Sequence, residues 1–156
     1  MGIDKNYRSA QVDKATISDD GKISYVTATM TGPGQIELLN PYETVQAETF
    51  SHMAGVTVEG LNNTTVSAKA GNWTRVSGVD CGTGAKSITV KASSSSGAVI
   101  KVCTESQNGT AVSYVEIPAG GSMQEITVPV VGLSGTQDLY FVFSGNVSFD
   151  SWVLSK

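Results

Sequence analysis

The chain has 156 residues, a formal net charge of −4, only 15% charged residues and 17 glycines. This length suits one ordinary domain with a short appendage. An acidic balance without Lys or Arg clusters argues against a nucleic-acid partner, because binding to phosphates requires many basic contacts. No run approaches the roughly 18 apolar residues of a membrane span, and Met1-Gly2 opens no apolar signal core. We therefore expect a soluble piece of a longer exported product, without a membrane partner.

The first forty residues predict a hairpin followed by a break. Asp19-Asp20-Gly21 has turn chemistry and joins two weakly alternating segments within residues 7–30. Thr31-Gly32-Pro33-Gly34 and Asn40-Pro41 then interrupt the chain. An isolated hairpin is marginally stable in water. We therefore predict that residues 1–40 are an N-terminal extension, packed on the following domain or once part of the preceding one, and that residues 41–156 form the main module.

From Tyr42 onward, short alternating segments are separated by clusters of Gly, Ser, Asn and Pro that favour turns. No long segment shows apolar residues at the helical spacing of 3.6, so almost no helix is expected. This pattern predicts an all-β fold, a β-sandwich jelly roll of about ten strands. The predicted strands are 42–49, 55–60, 64–69, 72–79, 86–93, 98–105, 111–117, 124–131, 137–143 and 147–154.

A set of oxygen-bearing side chains links the first predicted strand of this module to its last. Gln46 and Glu48 are two apart on a predicted strand, so both point to one face. With Asp150, they can offer oxygen ligands to a hard cation such as calcium. Such a clamp would close a sandwich with exposed edges. The alternative is that all three are solvated side chains at strand ends.

The sequence does not decide whether its two cysteines form a disulfide, and it places no second metal ligand near its histidine. Whether Cys81 and Cys103 pair is not decided by their spacing. His52 has no Cys or second His at metal-ligand spacing nearby, and we predict an ordinary surface histidine.

Several short motifs occur in a characteristic order within residues 42–156. They are Gln46-Ala47-Glu48, Gly71-Asn72-Trp73, Val79-Asp80-Cys81-Gly82, Gly120-Gly121, Asp138-Leu139-Tyr140 and Phe149-Asp150-Ser151-Trp152. This order resembles carbohydrate-binding module family 6. The resemblance implies a jelly roll with structural calcium at Gln46, Glu48 and Asp150.

Members of this family usually hold sugar in a cleft at the loop end of the sandwich, between two aromatic rings and beside an Asn. The resemblance places these positions on Ser67, on Ser122 or Met123, and on Ser148. None of the required side chains is kept. A cleft without aromatic plates should lose most of its affinity, because its remaining hydrogen bonds merely replace those made with water.

Some members use a second cleft, on the concave face of one sheet, that contains a Trp. The resemblance aligns that Trp with Trp73, and alternation places Arg75 and Ser77 on the same face of the strand. Glu105, on a strand predicted nearby, could accept hydrogen bonds from sugar hydroxyls. The alternative is that Trp73 is a core ring. Arg75 favours an open surface, because an unpaired buried guanidinium is costly.

A second set of features lies near the start of the chain: Tyr7-Arg8-Ser9, the Asp19–Ile23 turn and the segment 32–42. With these features, residues 1–40 resemble the junction at which glycoside hydrolase family 43 catalytic domains run into such modules. The resemblance implies a secreted, monomeric, non-catalytic module that targets a xylan or arabinoxylan polysaccharide for an upstream catalytic domain. The alternative is a structural appendage that has lost sugar binding and packs against its catalytic neighbour.

Catalysis by the chain itself is the third hypothesis. Common glycosidases need two carboxyl groups about 5 to 9.5 Å apart. The Asp and Glu residues are scattered along the sequence, no spacing forces such proximity, and no nucleophile is paired with a base. We therefore expect no enzymatic activity from this chain.

Overall fold

The computed structural model describes residues 12–27, 29, 35–60 and 64–156. It divides into two compact units, Met1–Ile36 and Glu37–Lys156. No helix occurs among the described residues, and within them nothing helical is long and apolar enough to cross a membrane.

The smaller unit contains the predicted turn. Ile17 and Ile23 form an antiparallel bridge, and the backbone N–H of Ser18 donates to the Lys22 carbonyl at 2.9 Å. Asp13 accepts hydrogen bonds from both the backbone N–H and the hydroxyl of Thr29. The turn of the predicted hairpin is therefore present, whereas residues 7–11, 28 and 30 of that hairpin lie outside the described residues.

Eleven strands occur in the described part of the larger unit, and together they form two sheets. The β11 sheet has the order β3-β4-β11-β6-β9, with β1 also paired to β11, and the β10 sheet has the order β2-β5-β10-β7-β8. The pairings between these strands are antiparallel, which confirms the predicted β-sandwich. The strands are β1 Val45–Gln46, β2 His52–Ala54, β3 Thr57–Glu59, β4 Thr65–Ala68, β5 Trp73–Asp80, β6 Ser87–Ser93, β7 Ala98–Thr104, β8 Ala111–Ile117, β9 Gln124–Pro129, β10 Thr136–Phe143 and β11 Val147–Ser155.

The core lies between the two sheets and follows from strand alternation, because every second side chain points inward. An aromatic cluster at its centre joins the two sheets. The Phe141 ring of β10 lies 5.2 Å from Phe149 and 5.3 Å from Trp152 of β11, measured between ring centroids. All three side chains are buried. Tilted aromatic pairs at this spacing add to the stabilisation from buried area.

Two strand predictions were wrong near the start of this unit. The predicted strand 42–49 shrinks to Val45–Gln46, because the Gln46 carbonyl accepts the Thr49 N–H at 3.0 Å and closes a turn. The short strand β2, His52–Ala54, was not predicted and pairs with β5. Three residues carry too little alternation to be recognised, and this strand depends on its neighbour.

The two cysteines are both free and buried. Cys81 directly follows β5, and Cys103 lies in β7. Burial raises the pKa of the Cys81 thiol to about 11. Burial also raises the pKa of the Cys103 thiol. The question that the sequence left open is thus answered by two separate, protonated thiols.

Candidate functional site

Trp73 and Arg75 lie side by side on the outward face of the β10 sheet. The residues that alternate with them on β5, Thr74 and Val76, are buried in the sandwich. Trp73 itself is half-buried, so its indole borders solvent and is not a core ring. The outward placement of Trp73, Arg75 and Ser77 follows directly from the strand period of two.

Tyr140 supplies a second ring beside Trp73. It lies on β10 directly opposite Arg75, and its neighbours Leu139 and Phe141 are fully buried on the other face of the sheet. The centroids of the Trp73 and Tyr140 rings are 5.8 Å apart, with an angle of 49° between the planes. Because Tyr140 is only 7% exposed, its ring supports the indole from beside it, and Trp73 supplies the part of the pair that borders solvent.

Arg75 is held by polar neighbours on the same face. Its Nη2 lies 2.5 Å from Nδ1 of His52, and because a guanidinium only donates, the imidazole nitrogen accepts. Its Nε lies 3.9 Å from Oδ2 of Asp138, whose Oδ1 accepts the Gly78 N–H. The guanidinium is thereby fixed beside the aromatic pair while remaining only part-buried.

Glu105 lies in the loop between β7 and β8. It is exposed, and among the described residues it is the non-glycine residue with a positive φ, at 69°. The loop turns back over the outward face, where Lys101 Nζ donates to the Gln107 carbonyl at 2.9 Å and Cys103 Sγ donates to the Ser106 carbonyl at 3.3 Å. It therefore forms a raised border beside the sheet.

The three predicted sugar-binding residues are thus only partly brought together. Trp73 and Arg75 are neighbours on β5, whereas Glu105 follows β7, which is separated from β5 by β10. Two strand spacings correspond to about 10 Å. Sequence reasoning missed two neighbours, Tyr140 and His52. The alternation of Tyr140 with buried Leu and Phe could have placed it outward, but its distance from Trp73 depends on strand pairing.

The backbone segments that carry the predicted metal ligands are adjacent where β1 pairs with β11. Gln46 pairs with Ser151, and the Ala47 N–H donates to the Asp150 carbonyl at 2.8 Å. This places Gln46 and Glu48, on either side of Ala47, near Asp150. The stated reason for their common face was wrong, because Glu48 lies in the turn that follows β1 and not on a strand.

Two observations bear on whether these residues fit a cation. Oε2 of Glu48 is buried and has no hydrogen-bond partner. Oδ2 of Asp150 is engaged, at 3.1 Å from Lys91 Nζ and 3.0 Å from Ser151 Oγ. A buried carboxylate oxygen without a partner is costly, and carboxylate and amide oxygens are ligands that calcium takes. The donor set therefore fits calcium.

The predicted ligand set nevertheless contains only two carboxylates, those of Glu48 and Asp150. Within the described ranges, no group of three or more His, Cys, Asp and Glu side chains is placed to hold a metal ion. Gln46 contributes an amide in place of a third carboxylate. Any ion at this position would therefore also need backbone or water oxygens.

A cleft of about 590 Å³ occupies the loop end of the β11 sheet. Ser67 of β4 and Ser148 of β11 are direct strand partners, so they lie side by side in its lining. No aromatic side chain lines it among the described residues, and Ser122 and Met123 are exposed outside it. The lining residues are Gly55, Thr57, Glu59, Ser67, Ala68, Lys69, Asn72, Ser93, Ser94, Ser95, Gly121, Asn146, Val147 and Ser148.

Arabinoxylan arabinofuranohydrolases are among the known proteins to which this chain is similar. An arabinoxylan arabinofuranohydrolase of Paenibacillus polymyxa is 33% identical over 97% of this chain and 27% of its own length. The crystal structure of a glycoside hydrolase family 43 arabinoxylan arabinofuranohydrolase from Bacillus subtilis, in complex with cellotetraose, superposes with a TM-score of 0.86. It is 33% identical over 92% of this chain and 33% of the solved one. This chain thus spans about a quarter to a third of these relatives.

A β-1,3-glucan-binding family 6 module from Bacillus halodurans is also similar, with a TM-score of 0.72 and 30% identity over 77% of this chain and all of the solved one. The sequence profile described as "Carbohydrate binding module (family 6)" matches residues 46–156. That match begins at Gln46 in the first strand and runs through the later strands to Lys156. The chain therefore belongs to carbohydrate-binding module family 6.

Proposed function

We propose that this module binds a xylan or arabinoxylan chain on the outward face of the β10 sheet and so targets an attached glycoside hydrolase to its substrate. The observation that carries the proposal is the half-buried indole of Trp73, which borders solvent on this face, 5.8 Å from the buried Tyr140 ring and beside a fixed guanidinium. Aromatic rings offer apolar faces that match the C–H surfaces of pyranose rings. Family 6 modules bind carbohydrate without catalysing a reaction.

Trp73 and the side chains around it would make different kinds of contact with the sugar. The indole stacks on a sugar ring, and the N–H groups of Arg75 donate to ring or hydroxyl oxygens. Glu105 accepts from hydroxyls at the border of the face. Its left-handed backbone supports a binding role, because non-glycine residues in that conformation cost about 1 to 3 kcal/mol and cluster at ligand sites.

The substrate class rests on the relatives. Two enzymes named arabinoxylan arabinofuranohydrolases match nearly the full chain, including the residues that precede the sandwich. We accordingly assign this chain to the accessory part of such an enzyme, with the catalytic domain upstream. Polymeric xylan lies outside cells, so the protein would be secreted, and one module per enzyme would act as a monomer.

Calcium is the proposed structural ion of the module. Gln46, Glu48 and the free oxygen of Asp150 would hold it, and its charge would offset the buried oxygen of Glu48. When bound, calcium supplies a charge-neutralising link between β1 and β11. Its role would be stability, because these residues belong to the β11 sheet and the proposed sugar face belongs to the other.

Affinity electrophoresis in soluble arabinoxylan tests the sugar site. We expect retarded migration of the wild type and at least tenfold weaker binding of Trp73→Ala, since about 1.4 kcal/mol corresponds to a factor of ten. Tyr25→Ala is the control, because Tyr25 is an equally aromatic side chain that is 94% exposed in the other unit. Equal retardation of Trp73→Ala and wild type would refute the proposed face.

The second candidate is a structural appendage without sugar binding. The loop-end cleft favours it, since small polar side chains stand at Ser67 and Ser148 where the family has binding groups. Unretarded migration of the wild type with calcium present would support this alternative.

A further inference from the structure

We propose that Tyr114 forms a second sugar subsite, so that one polysaccharide chain runs across the strands of the β10 sheet from Trp73 to Tyr114. The inference rests on the proposed function and extends it. Tyr114 is 58% exposed, whereas Tyr140 on the same sheet is only 7% exposed. An exposed ring on a regular strand offers its faces to a ligand without any change of conformation.

Strand register places both rings in one row. Trp73 of β5 pairs with Val142 of β10, Val142 pairs with Lys101 of β7, and Lys101 pairs with Tyr114 of β8. Residues directly paired across antiparallel strands lie on the same face of a sheet. Burial agrees, because the residues flanking Tyr114, Ser113 and Val115, are buried.

The length of this row sets the kind of ligand. Three strand spacings separate Trp73 from Tyr114, which corresponds to about 14 Å. That distance exceeds the width of a single sugar ring, so a monosaccharide cannot contact both aromatic side chains. A linear oligosaccharide lying perpendicular to the strands can.

The row between the two rings suits such a chain. Val142 is half-buried and presents a small apolar surface between Trp73 and Lys101. Lys101 is held by its bond to the Gln107 carbonyl, which uses one of the three ammonium donors and leaves two for sugar hydroxyls. The loop between β7 and β8, anchored at Gln107, borders the row along one side.

Tyr114 also borders an apolar depression at the edge of its sheet. A depression of about 420 Å³ between β8 and β9 is lined by Tyr114, Val112, Pro129 and Val131, and Val131 is 75% exposed. We assign it to the polysaccharide because the ring lies in register with Trp73, and packing against a catalytic domain becomes an outcome of the test.

Isothermal titration with xylo-oligosaccharides of increasing length separates the possibilities. In the wild type, affinity should rise with length until the chain spans both rings. Tyr114→Ala should bind the shortest ligands as the wild type does and lose about five- to tenfold in affinity for the longest. Tyr114→Phe, which keeps the ring, should retain the length dependence, and Trp73→Ala should weaken binding at every length.

The failures are distinguishable. If Tyr114→Ala binds all lengths like the wild type while Trp73→Ala loses binding, the Tyr114 subsite is wrong and the Trp73 face stands. The edge around Tyr114 is then left for protein contact. If Trp73→Ala has no effect either, the proposed function itself is wrong.

Discussion

The calcium proposal makes a prediction whose size follows from the structure. Glu48→Gln replaces a half-buried carboxylate, whose Oε2 is buried without a partner, by a neutral amide of the same shape. If calcium is bound through this group, the wild type should be stabilised by the ion and the variant should not. In calcium-free solution the variant should be at least as stable as the wild type, because the side chain that places an oxygen in a buried position without a partner no longer carries a negative charge.

The expected stabilisation can be estimated. Extracellular calcium modules bind with Kd values of about 10⁻⁴ to 10⁻³ M, so about 10 mM calcium is a ten- to hundredfold excess. Linkage then gives about 1.4 to 2.7 kcal/mol. The entropy of unfolding is about 2.1 cal/mol/K per residue, so Tm of the unit Glu37–Lys156 should rise by about 6 to 11 °C.

Scanning calorimetry of the full chain in chelator and in calcium measures this shift. The control is Glu43→Gln, which makes the same charge change at an exposed position of the same segment and should keep the full shift. Glu48→Gln should retain less than about 2 °C. An equal rise in the wild type and Glu48→Gln, or no rise in either, would refute the assignment. Lys91 would then be the sole countercharge of Asp150 within the described residues.

Three further results are expected. Gly109→Ala should destabilise the protein by about 1 to 3 kcal/mol in urea unfolding, because a Cβ there would collide with the Thr104 carbonyl. The variant should also bind sugar more weakly, because the collision displaces the loop that borders the site. Unchanged stability would contradict this contact. The free energy of unfolding should fall as pH rises from 9.0 to about 11, because the buried Cys81 thiol keeps its proton in the folded state while the unfolded thiol loses it. Cys81→Ala should reduce this fall. A pH profile of the variant identical to that of the wild type would disprove the linkage. Trp152→Ala should cost about 3 to 5 kcal/mol in urea unfolding and Trp73→Ala clearly less, since only the first is fully buried; equal costs would show that Trp73 is a core residue.

Local alternation explains which parts of the fold were predictable. The predicted strand 86–93 matches β6, Ser87–Ser93, because buried Ile88, Val90 and Ala92 alternate with outward polar residues. The strand His52–Ala54 could not be found in this way, since three residues show no period and only the pairing with β5 makes them a strand.

The same distinction applies to the candidate site. Trp73 and Arg75 share a face by their spacing on one strand, which the sequence contains. The approach of Tyr140 depends on the register between β5 and β10, and the backbone conformation of Glu105 depends on how its loop closes. Both are set by pairings between distant residues. The strand argument for Glu48 failed because a turn replaced the predicted strand.

The position of β11 in its sheet has a consequence for how the protein folds. This strand comes last among the eleven, yet β1, β4 and β6, which all precede it by many residues, pair directly with it. The β11 sheet therefore cannot assemble until the ribosome has released almost the entire module. Such non-local topology slows folding to the range of milliseconds to seconds. Until β11 is available, β1, β4 and β6 lack their pairing partner and expose unpaired edges. The nascent chain is then prone to aggregation or to capture by chaperones.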